Sequence, residues 1–243
     1  MKLGILAAGI TPDELLAEFG SYAEMCAALL RSTGLEFDVA VFDVREGDFP
    51  DSLQQCDAWL VTGSKFSVYE DLAWIGRLKV LIREIHAARQ PMIGICFGHQ
   101  VIAEALGGKV EKYSGGWGVG LHQYRLEGGH AFISHSPTEF SLNAMHQDQV
   151  VSKPPEARVL ASSDFCPYAG LVYGDSIISL QAHPEFTREF EDRLIRLRAG
   201  HPIPDAVAKA GLASMQDSGA VPDRDEIANW FATFLRQHYN NKV

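Results

Sequence analysis

Pro91-Met-Ile-Gly-Ile-Cys96-Phe-Gly98-His-Gln100-Val-Ile-Ala-Glu-Ala-Leu106-Gly-Gly108 is the stretch on which the fold turns. Residues 91–95 read as a buried strand, Cys96 as the residue of a sharp turn, and residues 98–106 as the helix that follows. Gly94 and Gly98 stand two positions to either side of the cysteine. This is the pattern of a nucleophile elbow, with cysteine where hydrolases often carry serine. So abrupt a strand-to-helix turn leaves room only for glycine beside the nucleophile. It pushes the thiol out to the carboxyl edge of the sheet, at the positive end of a helix, where a thiolate is stabilised.

A cysteine on a turn needs a base and an orienting group before it is a nucleophile, because a buried structural cysteine after an apolar strand is the commoner case. Both groups occur far downstream in Ser176-Ile-Ile-Ser-Leu-Gln-Ala-His183-Pro184-Glu185-Phe186. This is a second short apolar strand, and it runs into His-Pro-Glu. In extended chain, residues two apart project to the same side, so His183 and Glu185 are expected to face one site. Pro184 holds His183 to an extended backbone. A third strand, Asp57-Ala-Trp-Leu-Val-Thr62-Gly63-Ser64, also ends in a small-residue turn.

Around these motifs, apolar strands alternate with amphipathic helices. Residues 3–8 read as a strand, 13–31 as a helix that Gly20 interrupts, 37–43 and 57–61 as strands, and 71–89 as a long helix. The alternation predicts an α/β fold: an open, doubly wound, mostly parallel sheet flanked by helices, flavodoxin-like. Ligands bind such sheets at the carboxyl ends of the strands, where Gly63, Cys96 and His183 all fall. Between 107 and 174 the texture changes to short runs (109–112, 118–125, 139–143, 158–161, 171–173) separated by Gly and Pro, which suggests a small antiparallel layer. Residues 187–198, 206–216 and 225–238 read as helices without a catalytic motif. We divide the chain into one domain over 1–190 and a C-terminal helical extension over 191–243, packed on the same domain. That extension is open to three roles: capping the fold, forming a homo-oligomer surface, or docking another protein.

The 243 residues are 47% hydrophobic and 21% charged, enough for one large domain core. A net charge of −10 with no basic cluster argues against nucleic-acid and anionic-membrane partners. Cys26, Cys56, Cys96 and Cys166 are scattered, without a Cys-x-x-Cys pair, and the histidines lack ligand spacing, so neither a metal nor a disulfide framework is expected. No run approaches the ~20 apolar residues of a membrane span. The first residues read as a strand entering a helix rather than as a signal peptide. A reducing cytoplasm suits a catalytic thiol, and a cytoplasmic location is expected.

Gly94-Ile-Cys96-Phe-Gly98-His99-Gln100 with His183-Pro184-Glu185 resembles the class I glutamine amidotransferase family, and 69–75 and 145–148 resemble its branch similar to the glutaminase domain of GMP synthase. The resemblance implies a Cys96–His183–Glu185 triad and a γ-glutamyl thioester, giving glutamate and ammonia from glutamine without a cofactor. It implies an oxyanion hole from backbone N–H groups at Gly63 and Phe97, where removing one donor can cost ~10²–10³ in rate. It also implies substrate contacts at Ser64, Gln100 and His146. No synthase domain or phosphate loop is apparent, so an ammonia acceptor would be a separate synthase subunit. The alternative is a γ-glutamyl peptidase or hydrolase with the same triad. A non-catalytic redox sensor is disfavoured, because a sensor needs no base beside a carboxylate. A Cys-for-Ser hydrolase would normally place its acid before the histidine, not after it.

Overall fold

The computed structural model describes residues 1–133, 137–216 and 221–240. Four short apolar segments form the middle of its sheet. These are β1 (Lys2–Leu6), β3 (Ala58–Val61), β4 (Met92–Ile95) and, late in the chain, β11 (Ile177–Leu180). With β2 (Asp38–Phe42) they pair in parallel in the order β2-β1-β3-β4-β11. β3, β4 and β11 are buried at every residue, as strands covered on both faces must be.

The sheet continues past β11 through antiparallel neighbours: β10 (Gly170–Tyr173), β9 (Ala157–Ser162), β6 (Gly118–Leu126) and β7 (Glu139–His146). Most of the expected antiparallel layer is thus an extension of the main sheet, since the β10–β11 hairpin carries the pairing straight on. Only β5 (Lys109–Lys112) and β8 (Asp148–Ser152) form a separate two-stranded sheet. Residues 145–148 hold the end of β7, a single bend residue, Gln147, and the start of β8.

Alternate strand residues feed two cores. Leu3, Ile5, Leu60 and Ile95 point to one face, under α2 (Tyr22–Arg31) and α7 (Arg224–Asn240). Leu6, Trp59, Val61 and Met92 point to the other, under α3 (Ala73–Ala87) and α4 (Phe97–Ala105). The helix expected over 13–31 is two helices, α1 (Asp13–Phe19) and α2, because Gly20 takes φ +76° and stops the first. Ser21 then opens the second with a capping box closed by Glu24.

α5 (Arg188–Arg198), capped by Thr187, and α6 (Asp205–Gln216) lie against β6. The boundary drawn at 190 falls inside α5. α7 sends Trp230, Phe231, Phe234 and Leu235 into the core that also holds Leu3 and Ile5, so its apolar face belongs to the main core. No helix among the described residues is long and apolar enough to cross a membrane.

This placement of α7 has a measurable consequence. Phe231 is fully buried. Phe231→Ala should lower the free energy of urea unfolding by about 3–5 kcal/mol, whereas Tyr239→Ala, at the half-exposed end of the same helix, should stay within about 0.5 kcal/mol. An unchanged midpoint for the first variant would show that α7 does not belong to the core.

Candidate active site

The turn between β4 and α4 sets Cys96 at φ +52°, ψ −104°. A non-glycine residue rarely adopts this backbone, at a cost of about 1–3 kcal/mol. The neighbouring glycines make it possible. A Cβ at Gly98 would lie 2.2 Å from the Val61 carbonyl oxygen, and one at Gly94 would lie 2.8 Å from the Gly98 carbonyl carbon. With hydrogens there, α4 lies directly on β3 and β4, and the thiol stands at the head of the helix.

His183 and Glu185 meet as expected, but not by a strand pleat. β11 ends at Leu180, and residues 181–185 bend and turn. The turn brings His183 Nδ1 to 2.7 Å from Glu185 Oε1, with the ring nitrogen donating to the carboxylate. Both side chains are almost wholly withdrawn from solvent. Burial works against charge on His183. The Glu185 carboxylate and the Cys96 sulfur outweigh it and raise the imidazole well above its ordinary value. Phe186 lies flat on the imidazole, centroids 4.0 Å apart at 4°.

The turn is clamped from two directions. The His183 N–H donates to Asn143 O on β7 (2.8 Å), and Asn143 Nδ2 returns a bond to Phe186 O (3.1 Å). Arg224, at the start of α7, donates to Pro184 O (2.8 Å) and Glu185 O (3.3 Å). Just before it, Asp223 exchanges backbone and side-chain bonds with Ser141, two residues before Asn143. Sequence reading passed over Asn143 and Arg224 because neither carries a local motif.

Gly63 borders both groups: a Cβ there would lie 2.9 Å from His183 Cε1 and 3.7 Å from Cys96 Cβ. Among the described residues the N–H groups of Gly63 and Phe97 have no protein acceptor, so both are free donors beside the sulfur. Thr62 Oγ1 secures the Gly63 turn by accepting from the Ala8 N–H (3.0 Å) and donating to Gly63 O (3.1 Å).

Cys96 and His183 open onto a cavity of about 300 Å³, which Ser64, Gln100, His146 and Asp148 also line. Gln100 Nε2 donates to Asp148 O (2.7 Å) and to Gln181 Oε1 (3.0 Å), leaving its carbonyl oxygen for any ligand. Gln181, buried and absent from the sequence expectations, points its own Nε2 at Cys96 Sγ, 3.6 Å away. Burial holds the His146 imidazole neutral, with its pKa lowered to about 3. Its Nδ1 donates to Asp148 O (3.1 Å). His99 turns away from the cavity to Ser179 Oγ (2.9 Å).

All four cysteines are free and buried. Burial raises the thiols of Cys26, Cys56 and Cys166, the last to about 12. Among the described residues no cluster of three or more His, Cys, Asp or Glu side chains is placed to hold a metal ion.

The family model for glutamine amidotransferase class-I matches residues 15–197. The chain belongs to the class I glutamine amidotransferase family. Gamma-glutamyl peptidase 5 of Arabidopsis thaliana is 30% identical over 229 residues, covering 90% of this chain and 88% of that protein. A GMP synthase [glutamine-hydrolyzing] of Pyrobaculum aerophilum is 32% identical over 180 residues, 72% of this chain but 33% of that protein. The crystal structure of a glutamine amidotransferase from Thermotoga maritima superposes with a TM-score of 0.72 over 97% of this chain and 96% of that one, at 19% identity. That likeness is one of fold. This family member therefore carries its cysteine elbow and His-Pro-Glu turn on the sheet common to such proteins.

One buried acid stands apart. Glu191 on α5 is fully buried, accepts from the Gly120 N–H (3.4 Å), and has no partner for Oε2. Burial raises its pKa from 4.5 to about 8, with His183 and the Gly120 bond pulling down and Glu185 pushing up. A carboxyl raised on folding contributes stability that is fully present below the ordinary value of 4.5 and is lost as pH climbs to about 8. Glu191→Gln removes this dependence. Its melting temperature relative to the parent protein should therefore rise steadily between about pH 5 and pH 8; a constant difference across that window would contradict a buried neutral acid.

Proposed function

We propose that the protein hydrolyses γ-glutamyl amides, with Cys96 as nucleophile, His183 as acid–base and Glu185 as its orienting carboxylate. The observation that carries this reading is that His183, joined at 2.7 Å to the buried Glu185, opens with Cys96 onto one cavity.

His183 takes the thiol proton, and the sulfur forms a bond to the γ-carbonyl carbon. The oxyanion that develops is met by the N–H groups of Gly63 and Phe97, both without protein acceptors among the described residues. His183 then gives its proton to the departing nitrogen as the C–N bond breaks, leaving a γ-glutamyl thioester. Water, deprotonated by His183, attacks the thioester carbon; glutamate leaves and the thiol is restored. Glu185 holds the Nδ1–H tautomer, so that Nε2 is the nitrogen that carries the proton. Ser64, Gln100 and His146 line the part of the cavity assigned to the glutamyl group.

Two donors share this chemistry. A γ-glutamyl peptide is favoured by full-length similarity to a protein named as a gamma-glutamyl peptidase, and by the breadth of the cavity, which continues past His183 to α5. Glutamine, with ammonia passed to a separate synthase subunit, is the second reading. It is supported by the match to the GMP synthase, where the matching region is only part of a longer protein.

Cys96→Ser should lower turnover of a γ-glutamyl dipeptide on the order of 10³-fold or more without shifting the thermal melt. His183→Asn should lose far more activity than Glu185→Gln, since only the first removes the proton carrier; small and equal losses would sink the triad. A glutamine-analogue chloroketone should label Cys96 alone, because burial keeps the other three thiols protonated. Comparable labelling of Cys26, Cys56 or Cys166 in mass spectra would refute selective activation.

A further inference from the structure

The cavity wall beyond His183 is built by the chain that follows the His-Pro-Glu turn. Leu194 and Arg198 come from α5, and Pro202 and Ile203 from the connection to α6. A row of aromatic contacts fixes where this wall stands. Phe186 stacks on His183, and Tyr22 packs on Phe186 with centroids 5.6 Å apart. Tyr22 in turn feels Arg198: burial pushes its phenol up and the guanidinium pulls it back down. Leu194 joins the same packed cluster as Tyr22 and Phe186, so the stretch of α5 that carries Leu194 and Arg198 stands on the imidazole side of Cys96. In amide hydrolysis the departing nitrogen receives its proton from His183, so the leaving group must occupy that same side.

The charge of the wall is unusual for this chain. The protein carries a net charge of −10, yet the cavity is lined by Lys65, Lys112 and Arg198 against one acid, Asp148. Asp148 already accepts hydrogen bonds from Ser67 Oγ and Tyr69 OH, and it sits opposite Lys112 in the β5–β8 pairing. Lys65 follows β3 and Lys112 lies on β5, so neither belongs to the α5 wall. Arg198 is half-buried and has no carboxylate partner among the described residues, although Arg196, on the same helix, is paired with Asp192 at 2.7 Å. A guanidinium partly withdrawn from water and unpaired at a cavity wall is matched to an incoming carboxylate, which it can hold through two parallel N–H bonds. Leu194 and Ile203, almost wholly buried, back this wall with apolar atoms, and the exposed Pro202 stands beside them.

We propose that Arg198, with Leu194 and Ile203, forms a leaving-group subsite that takes the carboxylate and apolar side chain of the residue following the γ-glutamyl group. The preferred substrate is then a γ-glutamyl dipeptide with a free carboxylate and an apolar second residue. Its products are glutamate and the free amino acid. Glutamine, whose leaving group is ammonia, makes no use of this wall. The inference rests on the γ-glutamyl amide hydrolysis proposed above.

The test measures kcat/KM for γ-glutamyl-leucine and for γ-glutamyl-leucinamide, which differ only in the leaving-group charge. The parent protein should prefer the free carboxylate by about 10- to 100-fold, the range of a charge-assisted hydrogen bond. Arg198→Ala should bring the ratio of the two close to one, and Arg198→Lys should keep part of the preference. A ratio near one in the parent protein, or a ratio indifferent to Arg198→Ala, overturns the subsite while leaving the hydrolytic reading intact. Ammonia release from glutamine with no release of leucine or leucinamide from the two γ-glutamyl compounds overturns the peptide-donor reading itself.

Discussion

The rest of the site depends on how closely α4 can approach the sheet. Gly98 lies so near the Val61 carbonyl that no side chain fits between them, and this contact holds Cys96 in a backbone conformation it would not otherwise adopt. Because β3 and α4 touch there, the turn that ends β3 and the turn that begins α4 share one space. Gly63 thus borders Cys96 and His183 together. A larger residue at 98 would separate these pieces without altering any of the chemical groups.

The imidazole and its carboxylate depend on a different set of contacts. A free His-Pro-Glu segment has many conformations; here the edge of β7 and the start of α7 select one. Asn143 binds the backbone on both sides of the turn, Arg224 binds two carbonyls within it, and Asp223 ties α7 to β7 through Ser141. Ordering the long Arg224 side chain has an entropic cost, which is offset because its two bonds, like those of Asn143, fix turn backbone withdrawn from water. The C-terminal helices therefore serve the site in two ways. α7 secures the turn while completing the core, and α5 forms the wall next to His183.

Much of the architecture was legible because its signals are local. The all-apolar runs at 58–61, 92–95 and 177–180 announce strands buried on both faces. Gly94 and Gly98 announce the elbow. The antiparallel strands expected between 107 and 174 are present, but how they divide was not legible: β5 and β8 form the small separate sheet, while β10 pairs with β11 and carries the main sheet onward, because an open sheet edge accepts whatever strand lies beside it.

The sequence by itself singled out Cys96, His183 and Glu185, since each lies in a short pattern whose spacing carries its own geometry. It determined the alternation of strands and helices as well. Only the tertiary structure decided what surrounds them: that a turn rather than a pleat joins His183 to Glu185, that Gln181 faces the sulfur, that Asn143 and Arg224 hold the turn, and that Arg198 stands unpaired beside it. These are contacts between residues far apart in the chain. Their roles come from where the sheet and its packed helices bring them, and no local pattern of residue types encodes that meeting.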